Sequence, residues 1–166
     1  KYTDYKSTNT PYGRDIIREY ADAFRAEGLH VGFYYSLIDW HHPDFTIDWV
    51  HPRRNEENAQ QLNEGRDMHR YAEYMRNQVT ELLTNYGKID ILWLDFSYTD
   101  KPADAKDWMV GKGKDAWEAE KLIETARSLQ PDIIINNRTE IDQDIWTPEQ
   151  YQPMEWVKDE KTGELL

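Results

Sequence analysis

The sequence predicts an α/β fold built from parallel helix–strand units. Three stretches with apolar residues at helical spacing each run into a short apolar segment typical of a buried strand. Each such segment is followed by a loop rich in polar and aromatic residues. Because parallel strands need crossover connections, usually helices, the alternation favours one parallel sheet with helices packed on it.

The first unit covers residues 13–36. Apolar residues recur at helical spacing over 13–28, and Gly28 suits the position just after a helix. The apolar and aromatic run over 30–36 predicts a strand. Residues 37–65, rich in His, Pro, Asp and Asn, predict a long loop, and loops beyond about 12–15 residues are usually functional or disordered.

The second unit begins at Arg66. An apolar stripe over about five turns, closed by Gly87, predicts a long amphipathic helix. Residues 89–95, with the sequence IDILWLD, then predict a buried strand that ends on the carboxylate of Asp95.

The third unit combines a helix stopped by Pro131 with a strand over 133–135. Residues 139–166 show no clear periodicity and predict a long loop. The apolar positions that mark the helix are Trp117, Leu122, Ile123, Ala126 and Leu129.

The three predicted strands end on polar or aromatic residues, and the ends of parallel strands share one rim, where barrel enzymes place their reactive groups. Asp95 at such an end has either a function or a capping role for the next loop, and its position alone leaves both open. Glycoside hydrolysis needs two carboxyl groups, and Glu149 in the following loop is a candidate partner. The three ends carry Tyr35-Ser36, Asp95 and Asn136-Asn137-Arg138.

The composition limits the classes of partner. A net charge of −12 disfavours nucleic acid and anionic membranes, and no apolar run approaches the roughly 18 residues of a membrane span. No charged-then-apolar leader stands within the chain, and the absence of Cys removes disulfides and thiolate sites while leaving the compartment open. Aromatic residues reach 13%, and their flat rings suit sugar faces, although most aromatic rings serve packing.

Several short motifs occur in a characteristic order: Gly28-Leu29, Gly32–Ser36, Asp39-Trp40, Glu81–Gly87, Leu92–Asp95, Asn136–Arg138 and Thr147–Glu149. In that order they resemble the retaining α-L-fucosidases of glycoside hydrolase family 29. The resemblance runs from Lys1 to about Lys158 and covers nearly the whole chain. A single one of these motifs would be weak evidence for the family. The whole series, in the family's order and at compatible spacing, is specific evidence.

The resemblance implies a (β/α)₈-like catalytic domain, incomplete over residues 1–166, that removes terminal α-L-fucose from fucosylated glycans with retention and without metal or other cofactor. The family's Trp-x-Asp motif matches Trp93-Leu94-Asp95, which implies that Asp95 is the nucleophile and that Trp93 lies in the sugar pocket. Arg138 matches a pocket arginine, Tyr35 the aromatic end of the preceding strand, and Trp40 is expected to wall the pocket.

Two departures from the family pattern matter. A His-His pair that binds the sugar hydroxyls in the family would stand just before Lys1, so we expect missing contacts and a fragment. The acid/base varies within the family, and here Glu149 fits a Thr-Pro-Glu loop, while Glu155-Trp156 reverses the alternative Trp-Glu order. The rival hypothesis is therefore an incomplete-barrel module for sugar binding or assembly, without a full catalytic pocket.

Two further expectations concern metal and assembly. Metal binding is disfavoured because adjacent loop histidines rarely ligate one ion and no ligand-type spacing is present. Three units leave a barrel of roughly 250 residues unclosed, so we expect open strand edges and self-association into a homo-oligomer. The residues weighed as metal ligands are His41, His42, Asp44, His51 and His69.

Overall fold

A three-stranded parallel sheet forms the centre of the fold, in the order β1-β2-β3. The computed structural model describes residues 2–147 of the 166-residue chain. Strand β1 spans Gly32–Ser36, β2 spans Ile91–Asp95 and β3 spans Ile134–Ile135. The predicted parallel α/β arrangement is confirmed.

Helices α1 (Ile16–Ala26) and α2 (Met68–Asn85) form where the sequence predicts helices, although α1 begins three residues later than predicted and α2 two residues later. Asp15 caps α1 by accepting a hydrogen bond from the backbone N of Arg18 at 3.1 Å, and Asp67 caps α2 through the N of His69 at 2.8 Å. Past their ends, Gly28 and Gly87 adopt φ of 71° and 74°, which a residue without Cβ tolerates.

The predicted third helix is broken into α3 (Lys114–Trp117) and α4 (Ala119–Leu129). Glu118 lies at the break with φ of 46°, in the left-handed region. Its carboxylate binds Arg76 of α2 and, at 2.9 Å, Nδ1 of His69. The prediction of a continuous helix was wrong because these tertiary contacts oppose continuation at Glu118.

Side chains of β1 and β2 alternate between two faces of the sheet. Leu92 and Leu94 are fully buried in the core formed with α2 and α4, whereas Trp93 and Asp95 between and after them are half-buried. The register pairs Tyr34 with Trp93 and Ser36 with Asp95. Tyr34, Trp93 and Asp95 therefore share the face of the sheet away from the helices.

The loops after β1 and β2 are fastened to each other by a buried ion pair. Lys112 and Asp48 are 1% and 0% exposed, and Nζ of Lys112 binds Oδ2 of Asp48. The hydroxyl of Tyr98 donates to the same oxygen at 2.8 Å. The segment 37–65, predicted as a long loop, is thus packed, and it contains the short 3-10 turns Pro52–Asn55 and Gln61–Asn63.

Residues after β3 turn back onto that strand. The backbone N of Asp144 and of Ile145 approach the carbonyl of Ile135 at 3.0 and 3.3 Å, and the Asp144 carboxylate accepts from the N of Ile135 at 2.8 Å. Part of the loop predicted over 139–166 is therefore ordered against the edge of β3. None of the helices in residues 2–147 has the length and apolar character needed to cross a lipid bilayer.

Candidate active site

Asp95 stands at the carboxyl end of the central strand β2 and receives hydrogen bonds from three residues. The guanidinium of Arg138 donates from Nε at 3.0 Å and from Nη2 at 2.7 Å, both to Oδ1. The backbone N of Phe96 donates to the same oxygen at 2.9 Å. The other oxygen, Oδ2, accepts from the hydroxyl of Tyr34 at 2.6 Å.

These contacts decide the charge of the carboxylate. Partial burial acts to raise the pKa of Asp95, but the hydrogen bonds from Tyr34 and Arg138 outweigh it and hold the pKa below the ordinary value of an aspartate. Asp95 is therefore ionised at neutral pH. An ionised, oriented carboxylate can act as a nucleophile or stabilise a positive charge, and it cannot donate a proton.

Arg138 reaches Asp95 because the segment after β3 is tied to its neighbours. Asn136 donates from Nδ2 to the carbonyl of Leu94 and accepts from the N of Leu94 on Oδ1, each at 2.9 Å. Asn136 is fully buried, so these two bonds continue the β2–β3 pairing by one side chain. Arg138 follows two residues later and lies across the rim from Asp95, as the sequence predicts.

Tyr35, which the resemblance matched to the aromatic strand end at the rim and which was expected to contact the sugar, does not lie at this carboxylate. Its hydroxyl donates to Oε1 of Gln78 on α2 at 2.6 Å, and burial raises the pKa of Tyr35 well above its usual range. Adjacent residues of a strand point to opposite faces, so Tyr34 takes the place expected for Tyr35. The alternation of side chains along the strand shows that only one of the two residues can face Asp95. It does not show which one, because both are tyrosines.

Trp93 and Trp40 differ in how closely the structure ties them to Asp95. Trp93 lies on the same face as Asp95, two residues before it on β2 and beside Tyr34 in the register. Trp40 lies in the loop after β1, 42% exposed, with its ring edge-on to His51 at 6.4 Å between centroids. A role for Trp40 in walling a pocket remains a prediction.

The proposed acid/base positions, Glu149 and Glu155, fall outside the described residues. Thr147, which opens the Thr-Pro-Glu motif, is described, and its backbone N donates to Oδ1 of Asn137 at 2.9 Å. The N of Asn137 in turn donates to the carbonyl of Ile145 at 3.0 Å. The motif therefore starts beside Asn137, the residue before Arg138.

The histidines weighed as metal ligands have separate partners. His41 stacks on Tyr5 at 4.7 Å, His42 lies 4.2 Å from the ring of Tyr74, and His69 contacts Glu118. Nδ1 of His51 accepts from the backbone N of Arg53 at 3.0 Å. Across residues 2–147 there is no cluster of three or more His, Cys, Asp or Glu arranged to hold a metal ion.

Comparisons with a family model, with curated proteins and with solved structures all point to the same family. A family model described as Alpha-L-fucosidase matches residues 1–163. Alpha-L-fucosidase isoenzyme 1 from Paenibacillus thiaminolyticus is 46% identical, with a TM-score of 0.79 over 99% of this chain and 39% of that one. A fucosidase of family GH29 from Bacteroides thetaiotaomicron, trapped as a covalent intermediate, is 30% identical, with a TM-score of 0.61 over 84% of this chain and 27% of that one.

A curated relative, putative alpha-L-fucosidase 1 of Oryza sativa subsp. japonica, is 32% identical over 96 residues, which are 56% of this chain and 15% of that protein. The chain thus spans well under half the length of each of these relatives. The family match nevertheless extends over nearly every residue. On these grounds the chain belongs to the alpha-L-fucosidase family of glycoside hydrolases.

Proposed function

We propose that this chain is part of the catalytic domain of a retaining α-L-fucosidase and that Asp95 is its nucleophile. The observation that carries the proposal is that the two oxygens of the Asp95 carboxylate accept different numbers of hydrogen bonds. Oδ1 accepts three hydrogen bonds from Arg138 and Phe96, whereas Oδ2 accepts one, from Tyr34. Oδ2 therefore keeps lone-pair capacity for attack on carbon.

In the first step, Oδ2 of Asp95 forms a bond to the anomeric carbon of fucose while the glycosidic C–O bond breaks. Arg138 fixes the orientation of the carboxylate beforehand, which removes part of the entropic cost of alignment. The product is a fucosyl ester of Asp95. The Bacteroides relative was trapped as a covalent intermediate with 2-fluoro-fucosyl fluoride, which supports a covalent step by family likeness.

A second carboxyl group completes the proposed reaction, and we assign it to Glu149. Its acid form gives a proton to the leaving oxygen, and its carboxylate then takes a proton from the water that attacks the anomeric carbon. The ester bond breaks, Asp95 is released ionised, and two inversions give net retention. The hydrogen bond from the N of Thr147 to Asn137, the residue before Arg138, supports this assignment because it ties the start of the Thr-Pro-Glu motif to the rim.

Aromatic side chains on the Asp95 face provide the proposed sugar contacts. Tyr34 is 60% exposed although its hydroxyl is bound to Asp95, so a large part of its ring is open. Trp93 lies beside it in the register. Aromatic faces pack well on the apolar faces of sugar rings, and we assign Trp93 and Trp40 to fucose binding on this basis.

In this proposal residues 1–166 belong to a (β/α)₈ barrel domain, of which the three parallel strands are neighbouring members. Its substrate is a fucosylated oligosaccharide or glycoconjugate. The reaction uses carboxyl groups and water alone. The rival is a module of the same fold that binds sugar or assembles with other chains and has no turnover.

Hydrolysis of a chromogenic aryl α-L-fucoside separates these two functions. We expect turnover by the protein and its loss in Asp95→Gly, with partial recovery in azide or formate, because a small anion fills the space left by the carboxylate. If Asp95→Gly keeps more than about a tenth of the activity, a loss below about 1.4 kcal/mol of barrier, Asp95 is not the nucleophile. Binding of fucose without turnover by the unaltered protein would favour the rival.

We also propose that the 166-residue chain self-associates. Within the part of the chain that the structure describes, β1 pairs on one side only, with β2, and Tyr34 on that strand is largely exposed. Exposed strand edges and apolar faces drive pairing between chains. Light scattering during size exclusion at low micromolar concentration tests this, and a single cooperatively melting species of 19.9 kDa would refute it.

A further inference from the structure

Ser97 connects the buried core to the arginine that holds Asp95. Its Oγ accepts a hydrogen bond from Nε1 of Trp117 at 3.1 Å and donates to the backbone carbonyl of Arg138 at 2.7 Å. Trp117 is fully buried in the core. The hydroxyl therefore joins a closely packed ring to the main chain of Arg138.

The turn that presents Ser97 is strained at Phe96. Phe96 has φ of 79°, a conformation that side chains with a Cβ rarely adopt and that costs on the order of 1–3 kcal/mol. Phe96 is 42% exposed, so its own burial offsets little of that cost. The turn directs the N–H of Phe96 to Oδ1 of Asp95 and carries the chain on to Ser97, beside Arg138.

On its other side Ser97 is followed by a fixed backbone pair. The N of Tyr98 donates to the carbonyl of Lys112 at 2.7 Å, and the N of Lys112 donates to the carbonyl of Tyr98 at 2.9 Å. Lys112 is itself held by its buried ion pair with Asp48. Ser97 thus lies between the turn at Phe96 and the paired backbones of Tyr98 and Lys112.

We propose that Ser97 is a positioning residue that sets the place of Arg138 and, through it, the orientation of the Asp95 carboxylate. The proposal rests on the proposed function, in which Asp95 is the nucleophile. With the Arg138 backbone fixed, its guanidinium is aimed at Oδ1, and Oδ2 is left for attack. Ser97 is assigned no contact with the substrate.

The kinetic test compares Ser97→Ala with Ser97→Thr, which keeps a hydroxyl. Ser128→Ala is the control, because the Ser128 hydroxyl makes a similar bond to a backbone carbonyl, that of Thr125, on the exposed side of α4. On an aryl α-L-fucoside we expect Ser97→Ala to lower kcat about five- to tenfold, the loss of about one hydrogen bond, with KM changed less than about twofold. Ser97→Thr should recover most of the rate, and Ser128→Ala should match the unaltered protein.

A second effect concerns the pH profile. Tyr34 and Arg138 are the side chains that hydrogen-bond Asp95. If the backbone of Arg138 is less firmly held, its guanidinium stabilises the negative charge of Asp95 less. In Ser97→Ala the acidic limb of kcat/KM should therefore move to higher pH by about half a unit. A purely structural role would lower the melting temperature and leave this limb in place.

The ¹⁵N resonance of the Arg138 Nε–H group gives a readout that needs no turnover. We expect Ser97→Ala to shift or broaden it and Ser128→Ala to leave it unchanged. If Ser97→Ala does not fold, Ser97→Cys, which keeps the side-chain shape with a weak donor, replaces it. An unchanged resonance and unchanged kcat in the folded variant overturn the positioning role. An inactive unaltered protein whose resonance still responds overturns the proposed function and not the positioning.

Discussion

Arg138 directs both Nε and Nη2 at a single oxygen of Asp95, Oδ1, at 3.0 and 2.7 Å. A guanidinium often divides its two donors between the two oxygens of a carboxylate. Here the second oxygen, Oδ2, is left to the hydroxyl of Tyr34. The two oxygens of Asp95 are therefore inequivalent, since Oδ1 accepts three hydrogen bonds and Oδ2 accepts one.

Arg138→Lys tests the role of the two hydrogen bonds from Arg138 to Asp95. Lysine keeps the charge but loses the planar fork, so we expect kcat/KM to fall about 100-fold, the cost of charge-assisted hydrogen bonds. The pKa of Asp95 lies below its ordinary value in the unaltered protein and should rise in the variant. Because the ionised form is the active one, the acidic limb of the pH profile should move to higher pH. A limb that stays in place would show that Arg138 does not control the carboxylate.

Tyr34→Phe and Tyr35→Phe form a matched pair on opposite faces of β1. Tyr34→Phe removes the hydrogen bond to Asp95, and we expect a rate loss of about tenfold with little change in stability. Tyr35→Phe removes the bond to Gln78, and we expect a loss of about 1 kcal/mol in the free energy of unfolding with unchanged kcat. The reverse assignment of the two effects would contradict the strand register.

The sequence was sufficient for elements that depend on local signals. Helices α1 and α2 follow from apolar periodicity and from the glycines just past their ends, and the structure adds the caps Asp15 and Asp67. The placement of Asp95 and Arg138 at one rim follows from the parallel arrangement of strands. The two helices need no knowledge of long-range contacts, whereas the rim follows from the parallel pairing of the strands.

Features set by distant contacts could not be predicted in the same way. The strand GFYYS is aromatic on both faces, so which tyrosine faces Asp95 depends on a register with β2, some 60 residues away. The break at Glu118 depends on its contacts with His69 and Arg76 of another helix. The hydroxyl of Ser97 acquires its two partners only when the loops after β2 and β3 meet.

Glu149→Ala tests the assignment of the acid/base through the leaving group. Poor leaving groups need a proton in the transition state and activated aryl groups do not, so natural fucosides should lose far more activity than aryl fucosides. Rates on the two substrate classes, measured side by side, give the comparison. An equal loss on both would indicate Glu155, a residue elsewhere, or misfolding.

Lys112→Met tests the buried pair that fastens the two rim loops. Removal of Lys112 leaves Asp48 charged, fully buried and bonded to Tyr98, so we expect a loss of about 3–5 kcal/mol in the free energy of unfolding. Adding Asp48→Asn should recover part of it, because an amide carries no charge yet still accepts from Tyr98. Urea denaturation gives both values, and a single variant as stable as the unaltered protein would refute the anchoring role.

The most direct test of the central claim is mass spectrometry of the protein after incubation with 2-fluoro-fucosyl fluoride, the reagent that trapped the Bacteroides relative. The electron-withdrawing fluorine slows hydrolysis of the ester, so a true nucleophile accumulates as a stable adduct. We predict one fluorofucosyl group per chain, on the peptide that contains Asp95, and no adduct in Asp95→Gly. Turnover of an aryl fucoside without this adduct, or an adduct on any other residue, would contradict the assignment of Asp95 as nucleophile.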